Sequence, residues 1–419
     1  MFRSLSIFNY RAWFFGALIS NIGAWMQATA LSWIVLTVLT DNDAGAVGIN
    51  MALQFGPQLL LVPISGLVAD KFDRRKILLV TQSTMSLLAV ALAAITVTGV
   101  VQLWMVQLFA LAFGVTQAMD APARQAFVSQ LVGRRLLPNA VALNSASFHG
   151  ARLIGPAVAG LSIAVVGPGW VFALNALTFL AMIIALLAMR RDDLEPSPRG
   201  AKGFRDIAQG VKYVGRRDDI LIVMVMAVLL GTFGLNFPIF ISTMTIEFGH
   251  DAESFGLLSS SMAIGSVTGA LLAARAEYPR YSLIIGGLGL FALGAAGAAW
   301  APNIWFFGIT LAALGLFGQL FMTNANSQIQ LSTAPEMRGR VMALYSAVFL
   351  GGTPIGAPIV GFVANALGPR WGIMVAVVAA AIAFGIGVIW WMRARKAERL
   401  TRTGTLSVPP VTQTLDTRN

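Results

Sequence analysis

Four ionisable residues lie in or beside long apolar stretches of the chain: Asp120, Arg124, His149 and Arg152. Asp120 precedes Arg124 by four residues and His149 precedes Arg152 by three, so each pair would share one face of a helix. A carboxylate or an imidazole can carry a proton, whereas a guanidinium stays charged and can hold an anion. Ionisable side chains inside a membrane are costly and mark functional sites. These four residues are therefore the candidates for ion coupling.

Each candidate has two readings on sequence alone. Asp120 is expected to pair with Arg124, or to exchange partners and carry a proton. Its predicted depth of about 6 Å, against about 15 Å for His149, disfavours a direct pair with Arg152. His149 either carries the proton or contacts substrate, or it packs as a neutral side chain. Arg152 either binds an anionic group or covers helix carbonyls freed by Pro156.

Further polar and aromatic side chains recur in the apolar stretches and are candidates for lining a substrate cavity. They are Asn21, Trp25, Gln54, Gln58, Asn236, Gln319, Asn324 and Gln328. Buried amides equally serve to join helices through hydrogen bonds. The lack of an acid at the centre of the predicted spans favours weakly polar or anionic cargo over polycations.

The elements that must position these residues are membrane-spanning helices. Only 11% of the 419 residues are charged and 57% are hydrophobic, which leaves too little polar surface for a soluble domain. The apolar stretches are about 20 residues long, the length that crosses a bilayer core. We therefore predict an all-α membrane protein with twelve spans, near 12–40, 46–69, 77–98, 102–123, 139–165, 170–189, 220–247, 254–274, 281–299, 304–327, 341–366 and 371–392.

Several function classes are excluded by composition. The chain has no cysteine and two histidines, so thiol chemistry and a histidine-rich metal site are ruled out. It lacks the GxxxxGK[ST] loop that binds nucleotide phosphates, and no catalytic pair emerges. We expect neither a cofactor nor a metal nor an enzymatic activity.

The net charge of +11 reflects orientation rather than nucleic-acid binding. If the N-terminus is cytoplasmic, every Lys and Arg lies on that side except Arg152 within a helix and Arg370 in a loop. Such an imbalance follows the positive-inside rule, so both termini are predicted to be cytoplasmic. The first apolar segment is too long for a cleaved signal peptide and is read as the first span.

An internal duplication divides the chain. At a shift of 201 residues, "ALNSASFHGARLIGPAVAG" (142–160) matches "ALYSAVFLGGTPIGAPIVG" (343–361), and "GPGW" at 167 matches "GPRW" at 368. We predict an N-terminal six-helix bundle (1–189), a cytoplasmic linker with an amphipathic helix (190–219), a C-terminal bundle (220–392) and a disordered cytoplasmic tail (393–419). Parallel halves of this kind place a substrate path at their interface.

The stretch "GLVADKFDRRK" resembles the signature loop between the second and third helices of the major facilitator superfamily. The positions matched include Gly66, Asp70, Lys71, Arg74 and Arg75. Val68 and Asp73 depart from the pattern, which usually has leucine and glycine there. The loop is either a topology signal alone or a latch in which Asp70 caps a helix of the other half and must be released during transport.

Two further stretches narrow the resemblance. "GARLIGPAVAG" (150–160) is similar to the glycine-proline signature of the fifth helix in exporting branches of that superfamily, and it contains Gly150, Gly155, Pro156 and Gly160. Alternatively, this stretch is a packing seam in which the glycines let a neighbouring helix approach closely. "MDAPARQAFVSQLV" (119–132) looks like the subfamily of enterobactin exporters and macrolide efflux proteins.

The resemblance implies a monomeric proton antiporter in a prokaryotic inner membrane, in contact with membrane lipids, that exports a small amphiphilic drug, macrolide or siderophore. The alternatives are an inward or uncoupled transporter, including a lipid mover, and a non-transporting membrane sensor or scaffold.

Overall fold

The computed structural model describes residues 3–133, 135–195, 204–275, 280–334 and 336–402. Within them the chain is helical apart from short turns, and a 3₁₀ turn (Arg3–Ser6) precedes the first long helix. The first half contains α1 (Phe8–Ile34, continued by a π-helical turn at Val35–Leu39), α2 (Ala44–Leu60), α3 (Val62–Lys71), α4 (Arg74–Val97), α5 (Leu103–Leu131), α6 (Leu137–Val166) and α7 (Pro168–Ala188).

A linker helix, α8 (Phe204–Val214), separates this half from the second. The second half contains α9 (Asp218–Leu229, followed by a π-helical turn at Leu230–Gly234), α10 (Phe237–Glu247), α11 (Ala252–Arg275), α12 (Tyr281–Ala299), α13 (Ile304–Ser332), α14 (Arg338–Gly351), α15 (Thr353–Leu367) and α16 (Pro369–Arg402).

Eleven helical segments of the described chain are long and apolar enough to cross a membrane. The remaining crossing, predicted at 46–69, is divided between α2 and α3, each too short to count alone. Pro57 lies inside α2 and Pro63 lies in the first turn of α3, and each removes a backbone donor, so the helix breaks at Leu61. The eleven segments and this broken helix match the predicted all-α, twelve-helix fold.

Two predicted ends are wrong. The fourth span runs to Leu131 rather than to 123, because the Ala, Arg and Gln residues that follow favour helix even though their charge ends the apolar stretch. The last helix reaches Arg402, so residues 393–402 of the predicted disordered tail are helical, and Arg395 lies 3.9 Å from the ring centroid of Trp391. Residues 403–419 of that tail lie outside the described residues.

The duplication in the sequence has a matching backbone geometry. Gly167 and Gly368 occupy equivalent positions and both adopt positive φ, 82° and 102°. Each is followed by a proline at the first position of a helix, Pro168 in α7 and Pro369 in α16. Glycine tolerates the left-handed backbone and proline pre-sets the helix start, so the same turn is built twice.

The two halves meet where α6 packs against α11 and α2 packs against α15. Gly160 of α6 faces Gly256 of α11 so closely that a Cβ on either would collide with the other backbone. Gly48 of α2 approaches the carbonyl of Ala357 in α15 in the same way. Glycine at these contacts lets the backbones approach, as in other membrane helix pairs. The Gly160–Gly256 contact lies near the end of α6, on the side of the Gly167 and Gly368 turns.

The predicted amphipathic helix of the linker is present as α8, which lies against α14 of the second half. Val214 is buried and Val211 is exposed, while the side chains of residues 204–207 lie outside the described part. Beyond α8, Arg217 holds both carboxylate oxygens of Asp219 at 2.9 and 2.7 Å and donates to the Ser332 carbonyl at 3.0 Å. The hydrogen bond to Asp219 raises the pKa of Arg217, so this anchor to α13 stays charged.

Candidate functional site

A cavity of about 1250 Å³, including its mouth, lies between the two halves. The first half contributes residues of α1, α2 and α6, and the second half contributes residues of α10, α11 and α13 with Thr353 of α15. The position of this cavity matches the interface predicted from the duplication.

Arg152 carries the one charge among the described residues that line this cavity. It is the sixteenth residue of the thirty-residue helix α6, and hence lies at the centre of that helix. Its guanidinium carbon lies 5.2 Å from the ring centroid of Trp25, within range of a cation–π contact. No described residue forms an ion pair with Arg152 or accepts a hydrogen bond from it, so the structure gives no sign that it covers a carbonyl freed by Pro156.

Aromatic rings surround the Arg152 site on the first half. Trp25 is stacked with Phe55 at 6.4 Å between ring centroids and meets the edge of Phe148 at 6.2 Å. Phe237 and Phe255 line the cavity from the second half. The walls therefore offer large apolar faces with a few polar groups, which is the composition of a site for an amphiphilic ligand.

The predicted cavity residues fall into two groups. Trp25, Gln54 and Gln319 line the cavity, as does Pro156 of the glycine-proline signature in α6. The other five are not among its lining residues. Of these, Asn236 and Asn324 donate to carbonyls one turn earlier, Gln58 donates to Gln117, Gln328 donates to Ser332, and Asn21 is half-buried. Gln58 joins α2 to α5, as the helix-joining alternative expects, whereas the hydrogen bonds of Asn236 and Asn324 go to carbonyls of their own helical segment and support neither predicted role.

Asp120 is buried inside the first half, away from the cavity-lining residues, and three side chains donate to it. Thr81 and Gln82 of α4 donate to Oδ1 at 2.6 and 2.8 Å, and Arg124 donates to Oδ2 at 2.7 Å. The predicted pair with Arg124 is thus present. Thr81, Gln82 and Arg124 all donate, so the two carboxylate oxygens serve as acceptors in each of these hydrogen bonds.

Thr81 and Gln82 were not predicted for this site; they begin a run of four polar residues in α4 that continues with Ser83 and Thr84. The sequence analysis also placed Asp120 too near the end of its helix. Asp120 is the eighteenth residue of the 29-residue helix α5, whereas the depth estimate assumed that the helix ends at 123.

The charged loop of the major facilitator signature has two buried arginines. Arg74 donates to the carbonyls of Ala69 and Ala126, both at 3.3 Å, and Arg75 donates to the carbonyl of Leu187 at 3.2 Å. Both side chains are less than a tenth exposed. These bases therefore join α3, α4, α5 and α7 at the end of the bundle that carries this loop, in addition to any role as a topology signal.

The other loop positions have different surroundings. Asp73, which replaces the usual glycine, caps α4 by accepting a hydrogen bond from the Lys76 backbone at 3.2 Å. Lys71 is exposed and lies over Phe72, and a Cβ on Gly66 would meet nothing within 4 Å. The side chains of Asp70 and His149 lie outside the described part of the structure, so the latch and the histidine roles stay predictions.

The glycine-proline signature (150–160) lies in α6 and is a packing seam at two of its three glycines. A Cβ on Gly155 would lie 2.5 Å from the Cβ of Trp25, and Gly160 meets Gly256 across the two halves. The expectation for Gly150 is wrong, because a Cβ there would meet nothing within 4 Å. Gly155 thus brings α6 close to α1 and sets Arg152 beside Trp25.

The profile of the transmembrane secretion effector family matches residues 2–419. The chain belongs to this family of the major facilitator superfamily. It is a multi-pass membrane transporter and not an enzyme.

Curated relatives cover most of the chain at low identity. The staphyloferrin A transporter of Staphylococcus aureus is 24% identical over 356 residues, covering 83% of this chain and 87% of the relative. The enterobactin exporter EntS of Shigella flexneri is 25% identical over 389 residues, covering 91% and 89%. Both are transporters of the superfamily that the signature loop indicates.

Solved structures share the fold. A bacterial homolog of the human lysosomal transporter Spinster, in an inward-facing and unoccupied conformation, aligns with a TM-score of 0.68 at 14% identity, covering 91% of this chain and 96% of its own. The nucleoside transporter NupG aligns with a TM-score of 0.68 at 13% identity, covering 92% and 99%. At these identities the likeness shows the fold alone.

Proposed function

We propose that this chain is a secondary active exporter that moves an amphiphilic small molecule of the siderophore type outward in exchange for protons. The observation that carries the proposal is the cavity between the two halves, with Arg152 as its one charged lining residue beside Trp25. Relatives that transport staphyloferrin A and export enterobactin support a siderophore-like cargo, and drugs and macrolides of similar size remain within the proposed range.

Transport proceeds by alternating access. The close contacts of Gly160 with Gly256 and of Gly48 with Ala357 form a gate at one end of the molecule. Opening this gate requires α6 to separate from α11 and α2 to separate from α15, while the opposite ends approach each other. Rocking of two halves about a central site produces this exchange.

The proton is carried by a residue of the first half. In the present arrangement Asp120 accepts hydrogen bonds from Arg124, Thr81 and Gln82. A change of partners during rocking would couple proton uptake to transport. His149, one turn before Arg152 on α6, is the other candidate because imidazole titrates near neutral pH.

The bias of basic residues supports an orientation with both termini in the cytoplasm of a prokaryotic cell, in the inner membrane. The gate formed by Gly160 and Gly256 then faces outward. A single copy contains both walls of the cavity, so the proposed transport unit is a monomer surrounded by lipid.

The test is efflux from a host that lacks its own pumps. Cells expressing the chain are loaded with enterobactin, a macrolide or a cationic dye, and retention is measured beside cells that express Arg152→Ala, His149→Ala or Asp120→Asn. His250→Ala and Arg370→Ala, at turns outside the cavity, are the matched controls.

We expect export of the anionic or weakly polar compounds, and loss of export in at least one of the three variants. Export of none of the compounds would contradict the proposal and favour a sensor or scaffold. Normal transport across pH by all three variants would contradict the coupling scheme.

A further inference from the structure

The two halves differ at a pair of equivalent positions, of which Arg152 is the member in the first half. At the shift of 201 residues Arg152 of α6 corresponds to Thr353 of α15. Both residues line the cavity, so the two equivalent positions face the same space. One wall therefore has a permanent positive charge where the other has a neutral hydroxyl.

The surroundings of Arg152 leave that charge available. One face of the guanidinium lies over Trp25 at 5.2 Å, and no described residue supplies a carboxylate or an acceptor to its N–H groups. Arg152 is half-buried in the wall of the cavity, at the centre of a membrane-spanning helix. A charge without a partner is costly there, and a ligand anion would relieve that cost. The N–H groups at the edge of a stacked guanidinium match the oxygens of a carboxylate or sulfonate.

The opposite wall is suited to the remainder of such a ligand. Phe237, Met262, Leu314 and Met322 line the cavity from the second half, and no described residue on that wall is charged. Methionine and aromatic side chains adapt to varied apolar shapes. The wall offers contact area but no counter-charge.

We infer that the cavity is polarised: an anionic group of the substrate binds Arg152 on the wall of the first half, and the apolar body of the substrate packs against the wall of the second half. The inference rests on the proposed transport function and adds the substrate's charge and orientation. It makes Arg152 the residue that selects anions and Thr353 the neutral counterpart that fixes which way the substrate lies.

Two related fluorescent probes test the inference on purified protein in detergent. One is 8-anilinonaphthalene-1-sulfonate, and the other is N-phenyl-1-naphthylamine, which has the same ring system without the sulfonate. Saturable fluorescence enhancement is measured for each probe after subtraction of the protein-free micelle signal. The variants are Arg152→Thr, which installs the residue of the other half, Arg152→Lys, which keeps the charge, and Phe237→Ala on the apolar wall.

Arg152→Thr is expected to weaken sulfonate binding by about tenfold or more, the value of a charge-assisted hydrogen bond, and to leave binding of the neutral probe unchanged. Arg152→Lys keeps the charge but loses the planar guanidinium edge, so it should bind the sulfonate more weakly than the unmodified protein and more tightly than Arg152→Thr. Phe237→Ala should weaken both probes, since both present the naphthalene ring. The control Arg370→Thr removes an arginine that lies outside this cavity and should change neither.

Equal sulfonate binding by Arg152→Thr and the unmodified protein would overturn the inference, as would an equal loss of both probes in that variant. Either result leaves the transport proposal to be judged by efflux. Failure of the unmodified protein to bind either probe saturably would also overturn the polarised cavity, while efflux of enterobactin decides the proposed function separately.

Discussion

At the scale of single residues, Asp120 is the one buried carboxylate among the described side chains, and it lies apart from the cavity. Asp120 is 4% exposed and is bound by Thr81, Gln82 and Arg124 within the first half. Arg124 also lies over the ring of Trp13 at 5.8 Å, and Ser20 donates to Gln82. The carboxylate is thus the centre of a network that joins α1, α4 and α5.

Asp120→Asn is predicted to lower thermal stability sharply. The variant leaves the nearly buried Arg124 without a counter-charge, and breaking a buried pair from one side costs about 3–5 kcal/mol. The unfolding temperature of the purified protein measures the change, followed by a method that needs no cysteine label because the chain has no cysteine. Adding Arg124→Gln should recover part of the lost stability, because both charges are then absent. Equal stability of all three proteins would show that the pair contributes nothing to the fold.

The sequence could predict part of this site. The spacing of Asp120 and Arg124 was enough to predict their pair, because i and i+4 residues meet on any helix. Thr81 and Gln82 could not be assigned to it, because their contact depends on how α4 packs against α5. Arg152 was recognised as a candidate from its place in an apolar stretch, but its separation from every described carboxylate emerges only from the packed structure.

At the scale of helices, glycines decide which pairs approach and proline decides where a helix bends. Gly155 and Gly160 bring α6 against α1 and α11, whereas Gly150 faces open space on the same helix. The sequence motif contains all three glycines at equal spacing, so it could not show which ones lie in an interface. Likewise, apolar length predicted the spans, while the break at Leu61 and the extended ends of α5 and α16 depended on local helix preference.

Gly160→Val is predicted to impair closure of the gate between α6 and α11. The added side chain would collide with the backbone of Gly256, and such overpacking costs about 1–3 kcal/mol. The chain has no cysteine, so Ser259→Cys can report cavity access by its rate of labelling with a small maleimide.

Labelling from the gate side should be faster in Gly160→Val than in its parent. Gly150→Val is the matched control, because its side chain would enter open space. Equal labelling rates in the two valine variants would contradict the gate assignment.

Asp70 and Asp73 of the signature loop are predicted to have different roles. Asp70→Ala is expected to impair efflux while leaving the protein folded, if Asp70 acts as a latch to the other half. Asp73→Ala removes the cap of α4 and should instead cost about 1 kcal/mol of stability. Efflux and thermal unfolding are measured on both. Unchanged efflux by Asp70→Ala would reduce that residue to part of a topology signal.

At the scale of the whole molecule, the duplicated halves enclose one cavity but do not contribute to it equally. The first half supplies the charge and the second half supplies mostly apolar surface. The sequence predicted the two halves and the place of the cavity, because repeats of this kind bind substrate between them. The asymmetry of the walls could be located only when Arg152 and Thr353 were seen to face the same space.

The proposed function of this chain is export driven by a proton gradient. Enterobactin uptake is measured into inverted membrane vesicles that contain the chain, with an acidic interior and with or without a protonophore. We predict uptake that depends on the acid interior, is abolished by the protonophore and is reduced by Arg152→Ala but not by Arg370→Ala. Uptake of the same size without the gradient would contradict proton exchange, and no uptake beyond that of vesicles lacking the chain would contradict export of this cargo class.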